Sequence, residues 1–183
     1  LTPSRFLVSI YLEREITHMK TLILMRHAKS SWKDHDLEDI DRPLKKRGKK
    51  DAQNIGKLIA EKELVPQKIY CSPAKRTQRT AEVVLEEIKQ EIPLEIVDQL
   101  YMAEVPVFYE LIKSIPDELE RVMIIGHNPG LESLVQLLSG QIESLPTSAL
   151  ANISLSIKSW KELDAETKGE LVDLFKPKHD KDK

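Results

Sequence analysis

Apolar residues in this chain gather in short runs that stop abruptly at charged or ring-bearing residues. Leu22-Ile23-Leu24-Met25 runs into Arg26-His27. Val122-Met123-Ile124-Ile125-Gly126 runs into His127-Asn128-Pro129-Gly130, and Ile69-Tyr70-Cys71 runs into Ser72-Pro73 with Arg76 close behind. Continuous apolar runs of this length read as strands buried on both faces. Between them the period changes to a helical one, with Ala52, Ile55, Leu58 and Ile59 on one face and Ala81, Val84, Leu85 and Ile88 on another. The pattern predicts strands over 20–25, 68–71, 94–97 and 121–125, the last being the most apolar and therefore central. Helices are predicted from 43 or 44 to 63, over 75–90, over 106–114, and over 131–138 with Gly140 as the stop. Two alternating segments, 154–157 and 170–175, read as peripheral strands joined by a turn at Thr167-Lys168-Gly169. Alternation of strand and helix implies an α/β fold with a mainly parallel sheet.

This ordering makes the run ends informative. In open α/β sheets ligands bind at the carboxyl ends of the strands. Three such ends deliver Arg26, His27, Arg76 and His127. Guanidinium offers a permanent charge and a planar fork of donors that matches phosphate oxygens two at a time. Phosphoryl transfer depends mostly on such positioning and charge stabilisation. An imidazole beside arginines stays neutral at pH 7, with a lone pair free to attack phosphorus and form a covalent phosphohistidine. One histidine would attack and the other would donate a hydrogen bond to the phosphate; residue types alone leave open which does which.

Composition narrows the partners. The chain has 183 residues, enough for one domain with a sizeable core, and a formal net charge of -2, which gives no electrostatic case for nucleic acid or an anionic membrane. The basic stretch Lys45-Lys46-Arg47 with Lys49-Lys50 reads as a solvated helix face rather than a polyanion patch. No apolar run reaches the roughly 18–20 residues that span a bilayer. Cys71 is the single cysteine, which excludes an intrachain disulfide, suits a reducing, cytoplasmic setting and, inside an apolar strand, reads as packing. No metal-binding spacing of His and Cys is present, so neither metal nor other cofactor is expected. Met19-Lys20 looks like a natural start, and residues 1–18 read either as an extension outside the domain or as an amphipathic helix packed on it. The domain is placed at 19–177, with a charged tail over 178–183.

The residues also resemble a known family. Leu24-Met25-Arg26-His27-Ala28 resembles the Arg-His-Gly signature of the histidine phosphatase superfamily. Ser72-Pro73-Ala74-Lys75-Arg76-Thr77-Gln78-Arg79-Thr80-Ala81 resembles its second motif, Ser-Pro-x-x-Arg-Ala-x-Gln-Thr-Ala, and Gly126-His127-Asn128 its third. The SixA-type phosphohistidine phosphatases are matched further by Arg26–Trp32, by Asp41-Arg42-Pro43-Leu44 with Gly48, by Leu100-Tyr101-x-Ala103, and by Leu145-Pro146-Thr147-Ser148-Ala149. The resemblance implies a three-layer, phosphoglycerate mutase-like sandwich of five or six strands flanked by helices. It implies His27 as nucleophile, Arg26 and Arg76 as the phosphate clamp, and His127 completing the pocket. Asn128, Ser30 and Arg79 are further candidates for substrate contact. The chain departs from the motifs at Ala28, Thr77 and Arg79.

Many superfamily members that cleave alkyl phosphates use a carboxylic acid to protonate the leaving alkoxide. Glu104 is a candidate by location alone, while Asp34, Asp36, Asp39 and Asp41 read as loop carboxylates or caps. A site without a strong acid favours P–N bonds or esters of acidic alcohols. The expected function is therefore hydrolysis of phosphohistidine on a signalling or carrier protein such as a histidine phosphotransfer domain. The alternatives are a phosphatase for a small phosphate ester and a non-catalytic phosphate-binding module.

Overall fold

The computed structural model describes residues 19–33 and 35–178. The segment 1–18, Asp34 and the tail beyond Lys178 lie outside the described residues, as does the choice between extension and packed helix at the N-terminus.

The element order is β1 (Lys20–Arg26), α1 (Lys46–Glu61), β2 (Lys68–Cys71), α2 (Lys75–Ile88), β3 (Leu94–Ile96), α3 (Val105–Lys113), β4 (Arg121–Gly126), α4 (Gly130–Ser139), β5 (Leu150–Leu155) and β6 (Gly169–Phe175). These strands form one sheet in the order β3-β2-β4-β1-β5-β6. The β3-β2, β2-β4 and β4-β1 pairs are parallel, whereas β5 and β6 are antiparallel additions. The sheet is thus mixed but mainly parallel, with β4 and β1 at its centre.

The pleat of β1 shows why the run needed no alternation. Leu22 and Leu24 join one core with Phe108, Ile112, Leu131 and Leu134, from α3 and α4. Ile23 and Met25 join the other with Ala52, Ile55, Ile59, Ala81 and Val84, from α1 and α2. Side chains on opposite faces of a strand thereby enter separate helical layers, giving the three-layer sandwich. Gly56 lets α1 approach α2 closely: an added Cβ would lie 2.7 Å from the Glu87 Cβ and 2.9 Å from the Val84 carbonyl oxygen.

Two boundaries differ from the sequence pattern in ways that matter. The helix expected from Pro43 or Leu44 begins only at Lys46. Residues 43–45 are instead extended, with Ser31 N–H donating to the Pro43 carbonyl, Lys45 N–H to the Lys29 carbonyl (both 2.8 Å), and Ser30 bridged to Leu44. This clip ties the loop after β1 to the entry of α1. The strand expected at 154–157 spans Leu150–Leu155 instead. Asn152 interrupts its apolar pattern and reaches across the sheet, its Nδ2 donating to Asp173 Oδ2 at 3.1 Å.

Candidate active site

Parallel register is what assembles the site. Arg26 pairs with Gly126 and Ile125 with Cys71, so β1, β4 and β2 end side by side. The following residues stay in step: His27 N–H donates to the Gly126 carbonyl and Ser72 N–H to the Ile125 carbonyl, each at 3.1 Å. His27 and His127 therefore face each other with ring centroids 5.2 Å apart. Arg76 reaches them from the first turn of α2, with Nη2 3.4 Å from His127 Nδ1. That turn is fastened to the loop after β1 through Thr80, whose Oγ1 accepts from Ala28 N–H and donates to the Arg76 carbonyl.

Hydrogen bonds define both tautomers. His27 Nδ1–H donates to the Ala28 carbonyl at 2.8 Å, which leaves the Nε2 lone pair free. Arg76 can only donate, so His127 Nδ1 is an acceptor and its Nε2–H points to Ser72 Oγ at 2.7 Å. Both rings are neutral. Burial lowers the pKa of His27 to about 4, aided by the charges of Arg76, Arg26 and Arg42. Burial, His27 and Arg76 lower that of His127 to about 3.

Arg26 Nη1 and Asn128 Nδ2 both donate to the Leu145 carbonyl at 2.9 Å, so Asn128 anchors the loop that also holds Arg26. Ser30 is buried and belongs to the backbone clip with Leu44. Arg79 is held by its own helix, its Nη1 engaged by Glu82 at 2.6 Å and Glu86 at 3.3 Å. Glu104 is exposed, directly precedes α3 as its N-cap residue and makes none of the contacts of the cluster. Cys71 is fully buried with its thiol pushed up to about 12, as suits packing.

The carboxylate that the fold does bring in is Asp39, from the short 3-10 turn Asp39–Asp41. Its Oδ2 accepts from Arg76 Nη2 at 2.9 Å and from the Tyr101 hydroxyl at 2.7 Å. Its Oδ1 lies 2.9 Å from Arg42 Nε. These donors hold its pKa below the usual carboxylate range, led by the Tyr101 hydrogen bond and the Arg76 charge against the opposing effect of burial. Asp39 is thus an ionised acceptor. Arg42 is a third arginine of the site: it is buried, stacked 3.4 Å over the Trp32 ring, and its charge acts on His27. Sequence reasoning quoted Arg42 and Tyr101 only as family features and read Asp39 as a loop carboxylate. The spacing of 37 residues between Asp39 and Arg76, and of 62 between Asp39 and Tyr101, leaves no local signal.

Two imidazoles flanked by guanidinium groups suit a phosphoryl group in both charge and shape. Residues 22–104 match the family model of the histidine phosphatase superfamily, branch 1. The chain belongs to this superfamily. An uncharacterised chloroplastic protein of Arabidopsis thaliana is 31% identical over 159 residues, 78% of this chain and 70% of that one. A SixA from Agrobacterium tumefaciens, assigned as a phosphohistidine phosphatase, superposes with a TM-score of 0.75 at 27% identity, covering 86% of this chain and 98% of that one. The protein histidine phosphatase SixA complexed with tungstate shares the fold, with a TM-score of 0.71 at 21% identity over 84% of this chain and 95% of its own. This histidine phosphatase is an enzyme with a phosphoglycerate mutase-like fold. Among its described residues no helix is long and apolar enough to cross a membrane.

Proposed function

We propose that this phosphatase hydrolyses phosphohistidine on a protein through a covalent phosphate on His27. The observation that carries the reading is that one site holds both a neutral His27 of fixed tautomer and an ionised Asp39. The free lone pair of Nε2 attacks phosphorus. The P–N bond of the substrate breaks from its imidazolium form, whose other nitrogen has taken a proton from solvent, and the electron pair returns to the ring, which leaves as neutral imidazole. Bonds of the same kind are made and broken, so no acid in the site is required. An alkyl ester would release an alkoxide and need a proton that ionised Asp39 lacks.

His27 Nδ1 keeps its proton throughout, donating it to the Ala28 carbonyl, so phosphorylated His27 is an imidazolium and a good leaving group. Water then attacks phosphorus, the P–Nε2 pair returns to His27, and both water protons leave with dihydrogen phosphate. Arg26, Arg76 and Arg42 balance charge on the transferring group. Arg76 must exchange Asp39 for phosphate oxygens, and His127 Nδ1 donates to the phosphate only when the substrate's negative charge favours its taking a proton from solvent. Similarity to SixA proteins supports the same substrate class.

The test is a comparison of kcat/KM for a phosphohistidine protein, free phosphohistidine and glycerol phosphate. The phosphohistidine compounds should exceed the ester by at least about 100-fold, the lower end of what general acid catalysis supplies. Equal turnover of glycerol phosphate would overturn the substrate assignment and favour a small ester.

A further inference from the structure

The lysine-rich entry of α1 does not lie on a flat helix face. Lys45, Lys46 and Lys49 line a groove of about 670 Å³ with Lys75 and Arg79 of α2. The groove is at the same end of the sheet as the histidines, because both helices follow strands that end there. Its walls are the chain neighbours of site residues: Asp41 and Pro43 flank Arg42, Pro73 follows Ser72, and Lys75 precedes Arg76.

The charge of the groove is strongly one-sided. Four lysines line it against one carboxylate, Asp41; the remaining cation, Arg79, is paired with Glu82 and Glu86. Lys45, Lys46, Lys49 and Lys75 are exposed and have no ion-pair partner among the described residues. Neither α1 nor α2 carries an acidic residue in its first turn or a side-chain cap, so the positive ends of both helices add to the same field. A chain with net charge -2 thus concentrates uncompensated positive charge beside its catalytic groups.

We infer that this groove receives an acidic segment flanking the phosphohistidine of the substrate protein, so that the enzyme selects its partner by charge outside the phosphate pocket. The inference rests on the phosphohistidine reading and extends it to the surface of the partner. Cations at the rim of an interface act mainly on encounter and weaken with salt.

The test uses two synthetic peptides carrying the same chemically phosphorylated histidine, one flanked by Asp and Glu, the other by Ser and Gly. The wild-type enzyme at low salt should favour the acidic peptide in kcat/KM by about tenfold. Lys45→Glu, Lys46→Glu and Lys49→Glu combined should abolish that preference while leaving kcat for free phosphohistidine unchanged. Salt at about 0.5 M should shrink the preference in the wild type. Reversal of Lys158, Lys161 and Lys168 to Glu, on another surface, should preserve it. If the groove triple variant does not fold, the corresponding Gln variant should halve the preference or better. Equal use of both peptides, or a preference that survives in the groove variant or falls equally in the control, overturns the inference and leaves the phosphohistidine activity standing. If the wild type dephosphorylates neither peptide, the phosphohistidine reading itself fails and the groove inference with it.

Discussion

Acidification from about pH 7.5 to about pH 5 should leave His27 able to attack phosphorus. An ordinary imidazole titrates near 6.5 and would be only about 3% neutral at pH 5. His27, held to about 4 by burial and by the charges of Arg76, Arg26 and Arg42, would be about 90% neutral there. The difference is about 30-fold in the population of nucleophile. The Nδ1–H bond to the Ala28 carbonyl favours the protonated ring and works against the shift, but burial outweighs it. The assay is the chemical shift of the His27 Cε1–H in histidine-labelled protein, assigned by its loss in His27→Gln and followed from about pH 8 to pH 3.5. Arg42→Ala removes one of the three lowering charges and should move the midpoint upward. A midpoint near 6.5 in the wild type, or no movement in Arg42→Ala, would refute the reasoning.

Other perturbations separate the roles of neighbouring groups. Arg76→Ala should lower kcat/KM by about 10²–10³, the loss found on removing one preorganised donor to a transition state, with far-ultraviolet circular dichroism unchanged. Asp39→Asn should leave kcat for phosphohistidine within about tenfold of wild type and tighten inhibition by orthovanadate, because Arg76 is released; a drop of 10²–10⁴ would instead identify Asp39 as a general acid. Gly48→Ala places a Cβ 2.2 Å from the Lys29 carbonyl oxygen, so the clip between residues 29–31 and 43–45 must open; urea unfolding should show a loss of about 1–3 kcal/mol. Stability should also fall with pH in a defined window. His27 and His127 have folded-state pKa values of about 4 and about 3, below the unfolded value near 6.5. Their neutral forms therefore carry no penalty above about 6.5, and from there down to about 4 the unfolded chain binds more protons, weakening the fold by up to about 1.4 kcal/mol per pH unit per group. Equal urea midpoints at pH 7.5 and pH 5 would contradict this.

The strands were readable because each central run is buried on both faces, and a run that enters two cores has no reason to alternate. The run ends were readable for the same reason: Arg26, His27 and His127 are the first polar positions after Met25 and Gly126, and parallel register brings them together. What lay beyond the pattern depends on tertiary pairing. Pro43-Leu44 looks like a helix start, but Leu44 bridges to Ser30 because the loop after β1 needs partners for its backbone. Asn152 hides the first half of β5 from any apolar pattern, and only its partner Asp173 explains it. The ring around Arg76 is assembled from a loop turn (Asp39, Arg42) and from Tyr101, whose positions follow no period. The lysines at the entry of α1 read as a solvated face until the facing side chains of α2 close the groove.

The central claim is that His27 carries the phosphoryl group between substrate and water. Its most direct test is to mix the enzyme with a phosphohistidine substrate, quench in alkali and map the phosphate by mass spectrometry of peptides. One acid-labile, alkali-stable phosphate should appear on His27, at most one per chain, and none should appear in His27→Ala, which should not turn over. A phosphate on another residue, or full turnover in His27→Ala, would contradict the account.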